Sequence, residues 1–250
     1  MKKIILIACA AMPMLACSAS NQTGANDPLR VLYVTGGGYH NYEAQRDLIT
    51  GELSERLDIE WTVDIEAGDS NDHKLTLHQD PDWHEDYDAV IYNMCFASVT
   101  DVEYVENLTR AHYESGTAAL VLHCAMHTYR DAETEEWDRL VGLETYHHER
   151  RQRQFEIEAV NREHPVMAGF PDGTWVSPTD ELYIIIKAYE NMVPLARAYG
   201  PETDKSHTVM WANTYGKARV IGTTAGHNNA VMEEPAYLNF LTNGLIWATE

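Results

Sequence analysis

Short apolar runs alternate with helical patterns along this chain, the order expected of βαβ units on a parallel sheet. Arg30 to Thr35 reads as a buried strand that runs into Gly36-Gly37-Gly38. Tyr42 to Leu57 reads as a helix, and Ile59 to Ile65 alternates as a strand. Ala89 to Met94 is a mainly apolar run after an acidic turn, the pattern of a strand covered on both faces. Asp101 to Ser115 reads as a helix, with Thr100 as its N-cap and Gly116 as its stop. Ala118 to Leu122 is the next buried strand. Beyond Trp137 the pattern becomes strands joined by turns, at Gln154 to Val160, Leu195 to Tyr199, Thr208 to Ala212 and Ala218 to Thr223. Pro235 to Ala248 reads as a closing helix with Pro in its first turn.

In open α/β sheets the ligand crevice lies outside the carboxyl ends of the strands. The residues just past each strand therefore matter most. They are Gly36 to His40, Asn93 to Phe96, His123 to Arg130, and Gly226 to Asn229. Three of these four segments contain His, so a histidine-rich site at one sheet edge is expected.

The first residues carry a different signal. Lys2 and Lys3 precede an apolar run, Ile4 to Ala11, that is too short to span a bilayer. Met14-Leu15-Ala16-Cys17-Ser18 then has the small-residue-before-Cys pattern of lipoprotein cleavage. The reading is a signal peptide over 1–16, lipidation at Cys17, a flexible tether over 17–28 and one α/β domain over 29–250. The alternative is an ordinary cleaved signal. Ser18 after the Cys points to an outer-membrane address, facing the periplasm or the cell surface.

Composition narrows the partners. The hydrophobic share is 44% and the charged share 23%, which suits a packed domain rather than a disordered chain. The formal charge is −21, a balance that repels nucleic acid. Of the four cysteines, only Cys95 and Cys124 belong to the domain. Both follow buried strands, so they are expected near one another. Side chains on adjacent parallel strands usually point the same way, so two free thiols are expected rather than a bridge.

Several segments together resemble the trehalose-utilisation (ThuA-like) family. They are Val31 to His40, Leu122 to His127, Asp180-Glu181-Leu182-Tyr183, Tyr215 to Val220 and Gly226-His227, with Trp211 and the final Gly244 to Ala248. The resemblance covers nearly all of residues 29–250. It implies a class I glutamine amidotransferase-like fold: a flavodoxin-like three-layer α/β sandwich with a mainly parallel central sheet. It also implies a link to carbohydrate utilisation, with the reaction undefined.

That fold places a nucleophile one residue past a strand end, where Cys124 stands, and a catalytic His where His227 stands. A thiolate needs a base or positive charge beside it. The sharp elbow of such a nucleophile wants small neighbours, yet the chain has Leu122 and Met126, and Asn229 replaces the expected carboxylate. Cys124 as a buried packing residue is the competing reading.

His123 and His127 are four apart, a spacing that suits two imidazoles on one metal if the segment is helical. His40 and His227 could complete the set, and Glu181 could add a carboxylate as ligand or general base. A polar sugar pocket without metal explains the same residues. Gly37, Gly38 and Tyr39 are candidates for substrate contact, the glycines through close backbone N–H groups and Tyr39 through its ring. A tight turn is the alternative for the glycines. The Gly run lacks a following Lys-Ser/Thr, so no nucleotide cofactor is expected. His148, beside His147 and ahead of Arg150, Arg151 and Arg153, is a candidate rim contact or a solvated loop residue. Tyr129, Trp137 and Tyr146 are candidates for sugar stacking or for core.

The expectation is therefore an exported, lipid-anchored protein that acts on a carbohydrate or oxidised sugar derivative through His and Glu acid–base chemistry. A divalent ion such as zinc could assist. The alternatives are a non-catalytic sugar-binding lipoprotein and a Cys–His amidotransferase-like hydrolase. His40, His123 and His227 should meet in one cleft, bordered by His127 and Glu181. For the anchor, metabolic palmitate labelling is expected to mark the wild type and not Cys17→Ser. Equal labelling of both would refute it.

Overall fold

The computed structural model describes residues 27–250. The signal peptide, the Cys17 anchor and most of the tether lie outside the described residues. Among the described residues no helix is long and apolar enough to cross a membrane.

Among the described residues eleven strands and five helices follow in order: β1 Leu29–Gly36, α1 Tyr42–Ser54, β2 Ile59–Asp64, β3 Ala89–Met94, α2 Val102–Ser115, β4 Ala118–Leu122, α3 Glu136–Val141, β5 Leu143–Glu144, β6 Glu156–Ala159, β7 Thr174–Val176, β8 Lys187–Ala188, β9 Val193–Gly200, β10 Lys205–Tyr215, β11 Ala218–Thr223, α4 Asn229–Met232 and α5 Pro235–Thr249. Nine strands form one sheet in the order β2-β1-β3-β4-β11-β10-β9-β6-β7. From β2 to β11 every pairing is parallel, which is the half built by the βαβ units. From β11 to β7 every pairing is antiparallel, which is the half built by strands and turns. β5 and β8 form a small separate pair.

The period of two in the strands divides the core into two layers. Val31, Tyr33, Ile91, Leu120 and Ile221 face one side, where α1 and α5 cover them with Ile49, Leu53, Tyr237, Phe240, Leu241 and Leu245. Leu32, Val34, Val90, Tyr92 and Val121 face the other, under Val105 and Leu108 of α2 and Trp137, Leu140 and Val141 of α3. Strands β3 and β4 are buried at every residue, as expected of strands covered by helices on both faces.

The sequence-based elements hold with small shifts. Helix α1 stops at Ser54 rather than Leu57, and β10 runs well beyond Thr208 to Ala212 at both ends. The N-cap of α2 is Asp101, not Thr100: its carboxylate accepts the amide of Tyr104 at 3.1 Å. A carboxylate one residue further on reaches the orphan amides of the first turn and also suits the helix dipole. Gly116 ends α2 in the left-handed conformation, as the pattern indicated.

The cap can be weighed directly. Asp101→Ala is expected to cost about 1 kcal/mol of stability in urea unfolding, whereas Thr100→Ala should change it by less than about 0.5 kcal/mol. Equal costs would restore Thr100 as the cap.

Candidate functional site

Strands β1, β3, β4 and β11 are neighbours in the sheet and parallel, so their carboxyl ends open on one edge. The segments past them meet there. His40 comes from the turn after β1, just before Asn41 caps α1 by accepting the amide of Ala44. His123 is the first residue after β4, and His227 lies shortly after β11. The ring centroids of His40 lie 4.8 Å from those of His123 and 4.7 Å from those of His227, and the His123 and His227 rings are 5.4 Å apart. One ring nitrogen from each falls within 4.8 Å of the others.

The hydrogen bonding around these rings is one-sided. His123 donates Nδ1–H to the carbonyl of Thr224 at 2.8 Å, which leaves the Nε2 lone pair free. That Nε2, the Nδ1 of His40 and the Nδ1 of His227 are buried and have no hydrogen-bond partner. Unpartnered buried polar atoms are rare and need an explanation. Three of them converging on one point explain one another if the point is a cation site. Three imidazoles with room for a further ligand are the donor set of a catalytic zinc-type centre, and a carbonyl holding the distal nitrogen is its usual outer support.

Glu181 completes the constellation. Its Oε2 lies 3.2 Å from His227 Nδ1 and 3.5 Å from His123 Nε2, and neither contact is aligned as a hydrogen bond. Its Oε1 accepts from Gln152 Nε2 at 3.3 Å and lies 3.4 Å from His148 Nε2. Burial opposes the charge on Glu181, but its contacts with His123 and His227 outweigh burial and hold its carboxyl well below the usual carboxylate range. The same contact raises His227, against burial. Burial, then the neighbouring His123 and His227, push His40 down to about 2, so it stays neutral and able to ligate.

Buried groups behind the site hold its loops. Asp180 is fully buried and accepts the amides of Gly226 at 2.8 Å and His227 at 2.9 Å. It thereby ties the segment that carries Glu181 to the segment that carries His227. Gln45 of α1 donates to the carbonyls of the same two residues and accepts from Asn93, which in turn donates to Tyr33. Sequence reasoning missed Asp180, Gln45 and Asn93 in this role. Asp180 stood beside Glu181, but nothing in the sequence separates a buried anchor from a solvated acid.

His123 adopts φ +49°, a left-handed backbone that non-glycine residues rarely take. The sharp turn after β4 thus presents His123, not Cys124. Cys124 is joined to Cys95 in a disulfide, with Cα atoms 5.3 Å apart. This corrects the expectation of free thiols. The parallel-strand argument fails because both residues lie past their strands: after the left-handed turn at His123, Cys124 sits on a 3-10 turn and no longer shares the strand orientation. A bridged sulfur offers no thiolate, so the structure gives no support to Cys124 as nucleophile.

His127 also departs from expectation. Arg130 donates to its Nδ1 at 3.1 Å, and an arginine can only donate, so the proton of His127 sits on Nε2. That Nε2 faces the Tyr183 hydroxyl at 3.1 Å and Cys124 Sγ at 3.4 Å. Both nitrogens are engaged, on a 3-10 turn that does not align positions 123 and 127 as an α-helix would. The amide of Gly37 donates to the carbonyl of Gly68, so that N–H is not free for a ligand. Gly38, Tyr39, Gln152 and Thr179 line an open cleft of about 790 Å³ that reaches His40 and His227. Tyr39 is 55% exposed, with its hydroxyl accepting from Asn71. His148 stands at the edge through Glu181. Tyr129 and Trp137 are core, whereas Tyr146 is exposed. Arg153 is engaged with buried Glu149 rather than free at a rim.

Residues 30–248 match the family model ThuA, described as trehalose utilisation. The chain belongs to the ThuA family. No curated protein matches it by sequence. Among solved structures this ThuA chain is similar to a ThuA-like protein from Parabacteroides merdae, with a TM-score of 0.67 at 19% identity over 89% of this chain and 90% of that one. A ThuA-like protein from Bacteroides uniformis gives 0.68 at 16% identity over 92% and 95%. The carbohydrate deacetylase Agd3 gives 0.56 at 11% identity over 89% of this chain and 32% of that one. The ThuA chain shares the flavodoxin-like, class I glutamine amidotransferase-like fold of these proteins, as the family resemblance implied.

The bridge can be tested chemically. Peptide mapping without reductant should find Cys95 linked to Cys124. The loop it closes spans 29 residues, so removing it should cost about 3–4 kcal/mol on the loop-entropy account. Two alkylatable thiols at these positions in the unreduced, denatured chain would contradict the bridge.

Proposed function

We propose that this ThuA-family protein is a metal-assisted enzyme acting on a carbohydrate or an oxidised sugar derivative. The observation that carries the reading is the convergence of three unpartnered imidazole nitrogens beside the Glu181 carboxylate. His40, His123 and His227 would hold a divalent ion of the zinc type. Bound there, such an ion supplies Lewis acidity toward a carbonyl or hydroxyl oxygen, or lowers the pKa of a water.

The residues of the chain then divide the remaining work. Glu181 is a carboxylate at the site and can take a proton from a substrate hydroxyl, a carbon acid or a water at Oε2. Gln152 and His148 hold its other oxygen and so set its direction. The Thr224 carbonyl keeps the His123 ring in one tautomer. Tyr39, its hydroxyl tethered by Asn71, presents an aromatic face at the cleft mouth that suits the apolar face of a sugar ring. The family's association with trehalose utilisation supports a carbohydrate as the ligand class. Export and lipidation at Cys17 belong to the same reading; their support is the pattern of Lys2, Lys3, the apolar run and Ala16-Cys17.

Two measurements test it. Elemental analysis of protein purified without a histidine tag should find about one divalent ion per chain, and His123→Ala should lose it. Once a thermal-shift screen of sugars and keto-sugars supplies a ligand, Glu181→Gln should keep binding it while turnover falls by about 10²–10⁴-fold. A Glu181→Gln protein that turns over normally, or a wild type with no bound ion, defeats the proposal. If no ligand that binds is ever turned over, the protein is a sugar binder.

A further inference from the structure

The Cys95–Cys124 bridge lies where two ligand-bearing segments meet. Cys124 directly follows His123, whose backbone is held at φ +49°. Such a conformation persists only when its surroundings determine it. On the other side, Cys95 is locked to the segment that leads to His40. Its amide donates to the carbonyl of Gly36 at 2.9 Å. A Cβ on Gly37 would lie 2.5 Å from the Cys95 carbonyl oxygen, so the two backbones touch and only glycine fits. Tyr42 forms one buried cluster with the two cysteines, and the His40 ring stands edge-on to Tyr42 at 5.3 Å. Tyr183 closes the remaining side, 5.1 Å from the His123 ring and within hydrogen-bond reach of His127, which faces Cys124 Sγ. The bridge is buried among these groups, with Cys95 at 3% and Cys124 at 5% exposure.

We propose that Cys95 and Cys124 are positioning residues whose disulfide clamps His123 against the His40 segment, which makes the metal affinity of the three-histidine centre depend on the redox state of the bridge. The inference rests on the reading of those histidines as a metal centre. A dithiol reductant would open the clamp. The S–S bond breaks as two electrons and two protons pass to Cys95 and Cys124, and the dithiol's own two sulfurs join as a disulfide. The His123 turn then loses its covalent tie to the β3 end and can leave the left-handed conformation, which moves Nε2 away from the other two nitrogens. Disturbing the support of a metal ligand typically costs 10–100-fold in affinity.

The experiment is a cobalt(II) titration of three forms of the full chain, with far-UV circular dichroism on each. They are the oxidised wild type, the wild type reduced by a dithiol and freed of it without oxygen, and Cys95→Ala/Cys124→Ala. Thiolate-to-cobalt bands identify any ion held by freed thiols, which is excluded from the fit. The expected result is a dissociation constant 10–100-fold larger for the reduced form and for the alanine pair, with unchanged far-UV spectra and recovery on reoxidation. Equal affinity in the oxidised and reduced wild type overturns the clamp while leaving the metal centre intact. Weak binding by the alanine pair alone also overturns it, since a packing void then explains the loss. Loss of the far-UV signal on reduction assigns the bridge to global stability and overturns it as well. No cobalt binding by the oxidised protein defeats the metal centre itself, and this inference with it.

Discussion

The parallel pairing of β1, β3, β4 and β11 is the constraint on which the site depends. Neighbouring strands in a sheet lie about 4.8 Å apart. Four consecutive strands that run the same way therefore release their next residues along a single edge roughly 14 Å long, and the turns past β1 and β11 bring the rings of His40 and His227 to 4.7 Å. His40, His123 and His227 occupy three of those four exits, and Cys95 occupies the fourth. No long-range attraction between imidazoles is required to assemble them. The hydrophobic faces that drive helices α1, α5, α2 and α3 onto the sheet also fix the strand order, and the strand order places the rings.

What converts proximity into a usable site is a set of buried polar ties. An unpaired polar group in the interior is costly, so each tie holds its two ends firmly. Asp180 grips the Gly226 and His227 amides, Gln45 grips the carbonyls of the same residues, and Thr224 fixes the His123 ring. The Nδ1 of His40, the Nε2 of His123 and the Nδ1 of His227 are left without a hydrogen-bond partner and lie within 4.8 Å of one another. The backbone of His123, at φ +49°, adds a strained conformation that costs about 1–3 kcal/mol and that the surrounding structure must hold.

The antiparallel half of the sheet has a different task. Its strands β9, β10, β6 and β7 extend the core, and the segments around it deliver Glu181, Gln152 and His148 across the open edge of the parallel half. The segment carrying Asp180 to Tyr183 pairs with the segment carrying His148 to Arg153 through isolated bridges at His148 and Tyr183 and at Arg153 and Asp180. One wall of the site is thus built from two irregular segments braced against each other. The other is built from strand ends.

Much of this was legible in the sequence. Short continuous apolar runs bounded by turn residues, such as Ala118 to Leu122 after Gly116, read as strands buried on both faces, and the residues that follow such strands face a common crevice, so the meeting of His40, His123 and His227 was expected from pattern and topology. Glu181 was legible only through its resemblance to family motifs. Other features were decided by the tertiary structure because they depend on direction and solvation, which spacing does not encode. His127 left the cluster because the turn after β4 is 3-10 rather than α-helical, and Arg130 took its free nitrogen. Cys124 turned toward Cys95 because the left-handed backbone of His123 broke the strand orientation. Asp180 became an anchor and not a surface acid because chain segments distant in sequence closed over it and brought two backbone amides to its oxygens. Alternation of apolar and polar residues specifies which face of an element is buried, and hence the layers and the edge. Which buried polar atoms find partners, and which are left facing one another, is settled only when remote segments meet.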